Sequence, residues 1–289
     1  MRRSFLPAAG PRRFLVYPLL VPERASRVDA LAARPRRFGP IKCPVCGSYG
    51  FAQGFDPLNL RETGRCSTCG ATNRQRQVAY VVRQAFAYIT GSKKPSLDHV
   101  AALNGFVIYN TEARGPVHSR LAAMNGYLCS EYLGDDYKSG DVVDGLMHQD
   151  LMGLSFPDES IDMVLSSDVF EHIPDPYAAH REVWRVLRPG GSHVFTVPFH
   201  QHLLLDDRRA YVDENGRVVH LQEPIYHGDP VRPAEGTVVY TIFSLEMMIR
   251  LGQLGFVTNL YRLHSPRHGI VGHNAIVFEA IKTGEPPSE

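Results

Sequence analysis

The segment 158–198 constrains the possible folds more than any other part of this 289-residue chain. Residues 161–165 form a short apolar run, which predicts a buried strand. Asp175 and Pro176 predict the start of a helix, because an aspartate side chain can accept an unpaired backbone amide and proline has no amide to lose. A Pro-Gly-Gly sequence ends this helix, and the apolar residues 193–197 predict a second strand. A strand, a helix and a strand with such short joints predict a right-handed parallel crossover.

The first of these strands leads into a polar run at its carboxyl end. The run contains Ser166, Ser167 and Asp168, and Glu171 and His172 follow shortly after it. In open sheets of parallel strands, ligands bind beyond the carboxyl ends of the strands. This run is therefore the first candidate for chemistry.

A family resemblance rests on three stretches of this region, FPDESIDMVLSSDVFEHIPDP, EVWRVLRPGG and FTVPF. They are similar to the core between the fourth and fifth strands of class I S-adenosylmethionine-dependent methyltransferases, in particular bacterial enzymes of the type 11 group. The resemblance covers roughly residues 100–280. It implies an α/β fold with a Rossmann-like, seven-stranded, mostly parallel sheet and helices on both faces. It also implies an enzyme that binds S-adenosylmethionine and transfers its methyl group.

Charge is distributed unevenly along the chain. Residues 1–42 contain nine arginines and one lysine against Glu23 and Asp29, which gives a net charge of +8. Because the whole chain carries +1, the remainder carries about −7, and this argues against a nucleic-acid-binding body. The composition, 44% hydrophobic and 21% charged, is that of an ordinary globular protein. With no apolar run long enough to span a bilayer and no signal peptide, we expect a cytoplasmic protein without a membrane span.

The sequence predicts four consecutive parts. Residues 1–40 are rich in arginine, proline and alanine and predict a basic, flexible arm. A transit peptide, or an arm that contacts phosphate or anionic glycan, is the alternative for this part. Residues 41–72 predict a zinc-binding knuckle, and residues 73–98 predict a helix that links it to the main domain. The methyltransferase-like domain covers residues 99–283, and its long segment 199–241 predicts an insertion that acts as a substrate lid.

Four of the five cysteines occur as two Cys-x-x-Cys pairs, Cys43 with Cys46 and Cys66 with Cys69. Nineteen residues separate the two pairs, a spacing that is typical of a zinc site with four thiolate ligands. Disulfides are the alternative, which a large chain without a signal peptide disfavours. Four thiolates leave no open coordination position, so the predicted zinc is structural and the small module is zinc-ribbon-like. Cys129 stands alone and predicts a small packed side chain.

The resemblance to methyltransferases also implies where the cofactor binds. The residues implied are Glu112, Gly115, Glu131, Asp150, Leu151 and Ser167. Glu131 follows the predicted second strand, where a carboxylate can accept hydrogen bonds from both hydroxyl groups of a ribose. Asp150 and the amide of Leu151 are implied as contacts of the adenine ring. In the loop after the first strand, Thr111 and Ala113 stand where the family has glycines. This difference allows the alternative that the protein is a relative that no longer catalyses methyl transfer.

The candidate catalytic residues are His172, Asp168 and His227. The side chain of a histidine titrates near neutral pH, so His172 is a candidate base, and His227 lies in the predicted lid. In quinone-biosynthesis O-methyltransferases, a similar Glu-x-x-Glu-His set is associated with a divalent cation. The resemblance therefore allows magnesium at Asp168, Glu171 and His172. The alternative is that Glu171 and His172 only fix the turn between strand and helix.

Three functional classes are compatible with these features. The leading one is methylation of a small molecule or a sugar, such as a glycan precursor, by in-line transfer from the sulfonium. The second is an RNA methyltransferase whose zinc knuckle and basic arm hold the nucleic acid, and the acidic body weighs against it. The third is a non-catalytic binding protein with a methyltransferase-like fold.

Overall fold

A computed structural model describes residues 37–90, 97–102, 104–228, 236–272 and 274–283. Most of the predicted basic arm, residues 1–40, lies outside these ranges. The strands are β1 (Arg37–Lys42), β2 (Tyr49–Gln53), β3 (Arg65–Cys66), β4 (Ile108–Asn110), β5 (Tyr127–Cys129), β6 (Val142–Val143), β7 (Leu146–Met147), β8 (Ile161–Ser167), β9 (Leu187–Thr196), β10 (Asp207–Arg208), β11 (Ala210–Val212), β12 (Val218–His220), β13 (Tyr226–His227), β14 (Thr237–Val238), β15 (Thr241–Ile242), β16 (Phe256–Arg262) and β17 (Ile276–Lys282). The α-helices are α1 (Asn73–Thr90), α2 (Leu97–Ala101), α3 (Gly115–Leu121), α4 (Pro176–Val186) and α5 (Leu245–Gln253).

The central sheet has the strand order β16-β17-β9-β8-β4-β5. Strands β5, β4, β8 and β9 are parallel, whereas β17 pairs antiparallel with both β9 and β16. Asn110, the last residue of β4, is in register with Cys129 of β5 and Leu165 of β8. The carboxyl ends of these three strands therefore meet at one edge of the sheet, where the polar run begins.

Helices cover both faces of this sheet. Met163 and Leu165 of β8 belong to a buried cluster with apolar residues of α1, α2 and α3. Val164, which points to the opposite face because side chains alternate along a strand, belongs to a cluster with residues of α4 and α5. Both faces are thus buried, as expected for a parallel sheet. The predicted fold class, a mostly parallel α/β sheet with helices on both faces, is confirmed.

The sheet has six strands within the described residues, whereas seven were predicted. Strand β7 pairs with β6 in a hairpin instead of joining the sheet. Asp144 and Gly145 form its turn with φ angles of 51° and 81°, and an Asp-Gly pair between apolar residues favours such a two-residue turn. A parallel bridge between Glu131 and His148 extends the sheet edge beyond β5. The hairpin therefore replaces the outermost strand.

The predicted helix start at Asp175 is confirmed, and a second helix begins with a similar cap. The Asp175 carboxylate accepts the amides of Tyr177 and Ala178 at 3.1 and 2.9 Å, and the proline that follows it is the first helical residue of α4. At the start of α5, Ser244 Oγ accepts the amide of Glu246 at 3.3 Å. Each cap satisfies a backbone donor that the helix itself leaves unpaired.

The N-terminal module consists of the antiparallel sheet β1-β2-β3 and two cysteine-containing turns. Gly47 and Gly70 close the turns with φ angles of 71° and 75°, a left-handed conformation that glycine adopts without strain. Their amides donate to the carbonyl groups of Cys43 and Cys66 at 2.8 and 2.9 Å. The two turns therefore have matching local geometry.

Arg76 of helix α1 joins this module to the rest of the protein. Its guanidinium is fully buried and donates to the carbonyl groups of Gly64 and Ala71, each at 2.6 Å, and of Gly269 at 2.7 Å. Burial lowers the pKa of Arg76 to about 10, so it stays charged at neutral pH. Gly64 and Ala71 belong to the module and Gly269 to the segment between β16 and β17. One side chain thus binds the backbone of both parts.

The insertion at 199–241 contains three short two-stranded pairings, β10 with β15, β11 with β12 and β13 with β14. Its residues 229–235 lie outside the described ranges. Hydrogen bonds connect the insertion to the residues after β8. The Tyr240 amide donates to the Glu171 carbonyl, and His172 Nδ1 donates to the Val238 carbonyl, both at 2.7 Å. The β13–β14 hairpin therefore lies beside the polar run.

Across the described ranges, no helix has both the length and the apolar character needed to cross a membrane. The longest, α1, has 18 residues and contains three arginines. The cytoplasmic location stays a prediction.

The substitution Arg76→Met tests whether the buried guanidinium holds the module in place. We expect it to lower the free energy of unfolding by about 3 kcal/mol, because three buried carbonyl groups lose a charged donor. Urea unfolding at constant zinc concentration measures this change. Arg217→Met at an exposed turn is the matched control and should change the stability by less than about 0.5 kcal/mol. Equal effects of the two substitutions would contradict the role of Arg76.

Candidate active site

A cleft of about 1030 Å³ opens above the carboxyl ends of β4, β5 and β8. Its walls come from the loop between β2 and β3, the start of α1, the loops after the parallel strands and the β13–β14 hairpin. Clefts of this size hold cofactors and small substrates. The predicted site residues that line it are Glu112, Gly115, Glu131, Ser167, Asp168, His172 and His227.

One side of the cleft is built from the loop after β4 and the end of β5. Glu131 Oε1 accepts the amide of Ala113 at 2.9 Å, which ties the two segments together. The amide of Thr111 donates to the Leu165 carbonyl at 3.0 Å. The Oγ1 atom of Thr111 is buried and has no hydrogen-bond partner among the described residues. A buried hydroxyl in that state at the wall of a cleft is suited to bind a polar group of a ligand.

Glu112 is the acid of this loop and lies beside two other charged groups. Burial raises its pKa to about 7, although the charge of Arg74 acts in the opposite direction and Glu131 raises the pKa further. A carboxyl group in this position changes its charge near neutral pH.

Asp150 and Leu151 do not line the cleft. Asp150 Oδ1 accepts the amide of Met152 at 2.9 Å, and the Asp150 amide donates to Ser139 Oγ at 2.9 Å. Leu151 is buried in the cluster that packs with α4 and α5. The residue before them, Gln149, donates its amide to the Glu131 carbonyl at 3.2 Å, so they follow directly after the cleft edge. Their contact with adenine stays a prediction.

Asp168 forms a partly buried ion-pair network at the end of β8. Arg61, from the loop between β2 and β3, contacts it with both terminal nitrogens, one of them at 2.7 Å. Arg74 Nε lies at 3.4 Å, and Thr196 Oγ1 donates to Asp168 at 3.0 Å. Burial raises the pKa of Asp168, but the charges of Arg61 and Arg74 outweigh it and hold the pKa well below its usual range. Such a carboxylate is a poor proton acceptor, so the predicted catalytic role of Asp168 gains no support here.

Glu171, His172 and His227 converge next to this network. Glu171 Oε1 lies 3.7 Å from His172 Nε2 and 3.8 Å from His227 Nδ1, and the two nitrogens are 3.2 Å apart. The Glu171 side chain is fully buried. Burial raises its pKa well above the usual range, and the nearby charge of Asp168 adds to this effect. The structure thus brings together the two histidines that were predicted separately for the site.

The four paired cysteines also converge. Their Sγ atoms all lie within 4.8 Å of one another, and those of Cys43 and Cys69 are 3.9 Å apart. Tetrahedral zinc with bonds of about 2.3 Å separates its sulfur ligands by about 3.8 Å, so the set fits zinc. The hydrogen bond with Cys69 and burial raise the pKa of the Cys43 thiol. Without a metal the thiol is therefore protonated, and a bound cation would replace this proton.

Residues 130–195 match a family described as "Methyltransferase domain". This segment begins directly after β5 and includes β8, the polar run, α4 and nearly all of β9. This part of the chain is similar to a methyltransferase domain. The resemblance to class I S-adenosylmethionine-dependent methyltransferases is therefore confirmed for this segment, which forms the centre of the sheet.

Relatives of this domain occur in mycobacteria. An uncharacterized methyltransferase of Mycobacterium marinum (strain ATCC BAA-535 / M) is 48% identical over 105 residues, which are 33% of this chain and 38% of that protein. An uncharacterized methyltransferase of Mycobacterium tuberculosis (strain ATCC 25177 / H37Ra) is 30% identical over 122 residues, 40% of this chain and 46% of that protein. The chain thus spans less than half the length of these curated relatives.

Solved methyltransferase structures are more distant. An S-adenosylmethionine-dependent methyltransferase from Mesorhizobium loti has 15% identity and a TM-score of 0.39, with 68% of this chain and 98% of that chain covered. The 1,6-didemethyltoxoflavin-N1-methyltransferase of Burkholderia thailandensis has 17% identity and a TM-score of 0.37, with 76% and 94% covered. Matches at this level do not establish a shared substrate.

The contribution of the N-terminal module to the cleft was not predicted from the sequence. Arg61, Glu62 and Asn59 of this module line the cleft together with Arg74 of α1. Arg74 contacts Ser167 Oγ and donates to Glu62 at 2.7 Å. The pairing of Arg61 with Asp168 spans 107 residues of sequence, and no local pattern marks it. The surplus of arginines in residues 61–76 was the one sequence feature that could have indicated this contribution to the cleft.

The cysteine geometry predicts a structural zinc ion. We expect the purified protein to contain one equivalent of zinc by elemental mass spectrometry. Cys66→Ser should reduce the content to less than half and lower the thermal stability, because metal binding supplies folding free energy to such modules. Cys129→Ser is the control and should retain the zinc, since Cys129 lies outside the cluster. Full zinc content in the Cys66 variant would contradict the site.

Proposed function

We propose that the protein is an S-adenosylmethionine-dependent methyltransferase that acts on a small molecule or a sugar, such as a glycan precursor. The observation that carries this proposal is the cleft above the carboxyl ends of β4, β5 and β8 within a methyltransferase domain. In open parallel sheets this is where nucleotide-containing ligands bind. Had side chains filled the ends of these strands, no nucleoside could enter.

The residues on the β4–β5 side of the cleft fit the cofactor. Glu131 anchors the loop through one oxygen, and a carboxylate there can also accept the hydroxyl groups of a ribose. The buried Thr111 Oγ1 can bind a polar group of the methionine part. Glu112, once ionised, places a negative charge where the sulfonium cation would be stabilised. Gly115 begins α3 with a φ of 86°, so the single glycine that remains in this loop occupies the position that needs it.

The acceptor would enter on the side of the insertion. His172, His200, Tyr226 and His227 line this part of the cleft. The charged residues around the whole cleft are mixed, with four acids (Glu62, Glu112, Glu131 and Asp168) and three arginines (Arg61, Arg74 and Arg114). A groove for RNA requires a continuous surplus of cations. The mixed lining therefore favours a small or sugar-like acceptor, with the β13–β14 hairpin acting as part of a lid.

When bound, S-adenosylmethionine supplies an electrophilic methyl group on a positively charged sulfur. The protein has to align the acceptor in line with the breaking bond and exclude water. His172 Nδ1 donates to the Val238 carbonyl, so in the neutral ring Nε2 has no proton and faces His227 and the cleft. This orientation allows His172 to accept the proton that a hydroxyl acceptor releases.

Glu131→Ala tests the cofactor site. We expect the dissociation constant for S-adenosylmethionine in isothermal titration to rise at least about tenfold, because a charge-assisted contact with the ribose is lost. Glu214→Ala, at an exposed turn of the insertion, is the control and should leave the constant unchanged. An unchanged constant in the Glu131 variant would remove this residue from the cofactor site. Absence of binding to the wild-type protein would favour the non-catalytic alternative.

The raised pKa of Glu112 predicts a pH dependence of cofactor binding. Its pKa of about 7 means that Glu112 is mostly protonated at pH 6 and mostly ionised at pH 8. Affinity for S-adenosylmethionine should therefore rise about fivefold over this interval, because the ionised carboxylate attracts the sulfonium. S-adenosylhomocysteine lacks the sulfonium and should show a smaller change.

Glu112→Gln is the matched variant for this pH experiment. It keeps the size of the side chain and cannot ionise, so the ratio of the two ligands' affinities should become independent of pH. A wild-type ratio that stays constant between pH 6 and pH 8 would contradict the assignment of Glu112 beside the sulfonium.

A further inference from the structure

We propose that Glu171, His172 and His227 form a binding site for a divalent transition-metal cation at the wall of the cleft. The site is separate from the four-cysteine cluster, and its ligands come from two parts of the chain. Glu171 and His172 lie in the turn after β8, and His227 lies in the β13–β14 hairpin. The binding of the cation stands independently of the proposed methyl transfer, whereas its role in the reaction rests on it.

The distances between the three ligand atoms fit a common cation. Glu171 Oε1, His172 Nε2 and His227 Nδ1 form a triangle with sides of 3.7, 3.8 and 3.2 Å. The point in its plane that is equidistant from the three corners lies about 2.1 Å from each of them, which is the length of zinc bonds to imidazole nitrogen and carboxylate oxygen. A cation can therefore occupy this position without rearrangement of the backbone.

The carboxylate of Glu171 provides an independent observation. Its side chain is fully buried, and neither oxygen has a hydrogen-bond partner among the described residues. Burial of a carboxyl group without hydrogen bonds is costly. Coordination to a cation compensates for that cost, and the Oε1 atom already points toward both imidazole rings.

The orientation of His172 is that of a metal ligand. Its Nδ1 donates to the Val238 carbonyl at 2.7 Å, which leaves the lone pair of Nε2 directed at the cluster. Ligating histidines commonly have their second ring nitrogen fixed in this way by a carbonyl or carboxylate group. Val238 and His227 lie on the paired strands of one hairpin, so the same element orients one ligand and supplies another.

The ligand set differs from the predicted one of Asp168, Glu171 and His172. Asp168 is paired with Arg61 and Arg74 and is not available to a cation. With His227 in its place, two imidazoles and one carboxylate favour a first-row transition metal such as zinc or iron(II) over magnesium. Three protein ligands also leave coordination positions open toward the cleft.

Within the proposed function, an open position would bind the hydroxyl oxygen of the acceptor. Coordination lowers the pKa of the hydroxyl, whose proton leaves to solvent. With the cation bound, His172 is a ligand and no longer acts as the base. The oxygen forms a bond with the methyl carbon as the carbon–sulfur bond breaks. The electron pair of that bond stays on sulfur, so the products are the methyl ether and neutral S-adenosylhomocysteine.

Cobalt(II) is a suitable probe of this site. Untagged, full-length protein that retains its zinc is titrated with Co²⁺, and binding is followed by calorimetry and visible absorption. We expect one equivalent of Co²⁺ to bind without the strong thiolate charge-transfer bands that ligation by cysteine would give. Glu171→Gln and His227→Ala should weaken this binding at least tenfold. His220→Ala, which removes an exposed histidine of the same insertion, should leave it unchanged.

The titration has outcomes that separate this site from the proposed function. Zinc content and thermal unfolding of each variant show that it is folded, and His227→Ala changes a partly exposed residue that the core does not need. Failure of the wild-type protein to bind Co²⁺ outside the cysteine cluster would overturn the site, as would equal affinities of the His227 and His220 variants. S-adenosylmethionine binding is measured on the same samples. Absence of this binding, with Co²⁺ binding intact, would contradict the proposed methyl transfer and leave the metal site standing.

Discussion

A partly buried ion pair connects the N-terminal module to the centre of the main sheet. Arg61 reaches from the loop between β2 and β3 to Asp168, which follows the last residue of β8. Removal of one partner is destabilising, because the remaining charge stays partly buried without a counter-ion. Asp168 has a φ of 55°, an uncommon conformation for a residue other than glycine. The pairing therefore holds both a strained residue and the position of the module.

This arrangement gives the four-cysteine module a place at the candidate active site. Zinc would fix the two cysteine turns, β2 and β3 extend from them, and the loop between these strands lines the cleft. Arg76 attaches the same module through backbone carbonyl groups on both sides. Loss of zinc would thus disturb the cleft as well as the module. On the opposite side, the β13–β14 hairpin is held by hydrogen bonds to the residues after β8, so the cleft is closed by two elements outside the sheet.

The sequence contained much of the fold and part of the site. The cap at Asp175, the apolar run of β8 and the two cysteine pairs are local patterns, and the structure confirms the helix start and the fold class that they indicated. The Asp-Gly turn at 144–145 is also local, yet the family resemblance led to a seventh strand in place of the hairpin. The partners of Asp168 and the meeting of His227 with Glu171 could not be predicted, because they depend on contacts between segments that are far apart in sequence.

The central claim is that the loops above β4, β5 and β8 bind S-adenosylmethionine beneath the N-terminal module. A crystal structure of the full chain with S-adenosylhomocysteine tests it most directly. We expect the nucleoside in the cleft, with its ribose at Glu131, its homocysteine part near Glu112 and Arg61 still paired with Asp168. A structure of the protein saturated with S-adenosylhomocysteine in which the nucleoside is bound elsewhere, or in which side chains fill the cleft, would contradict the account.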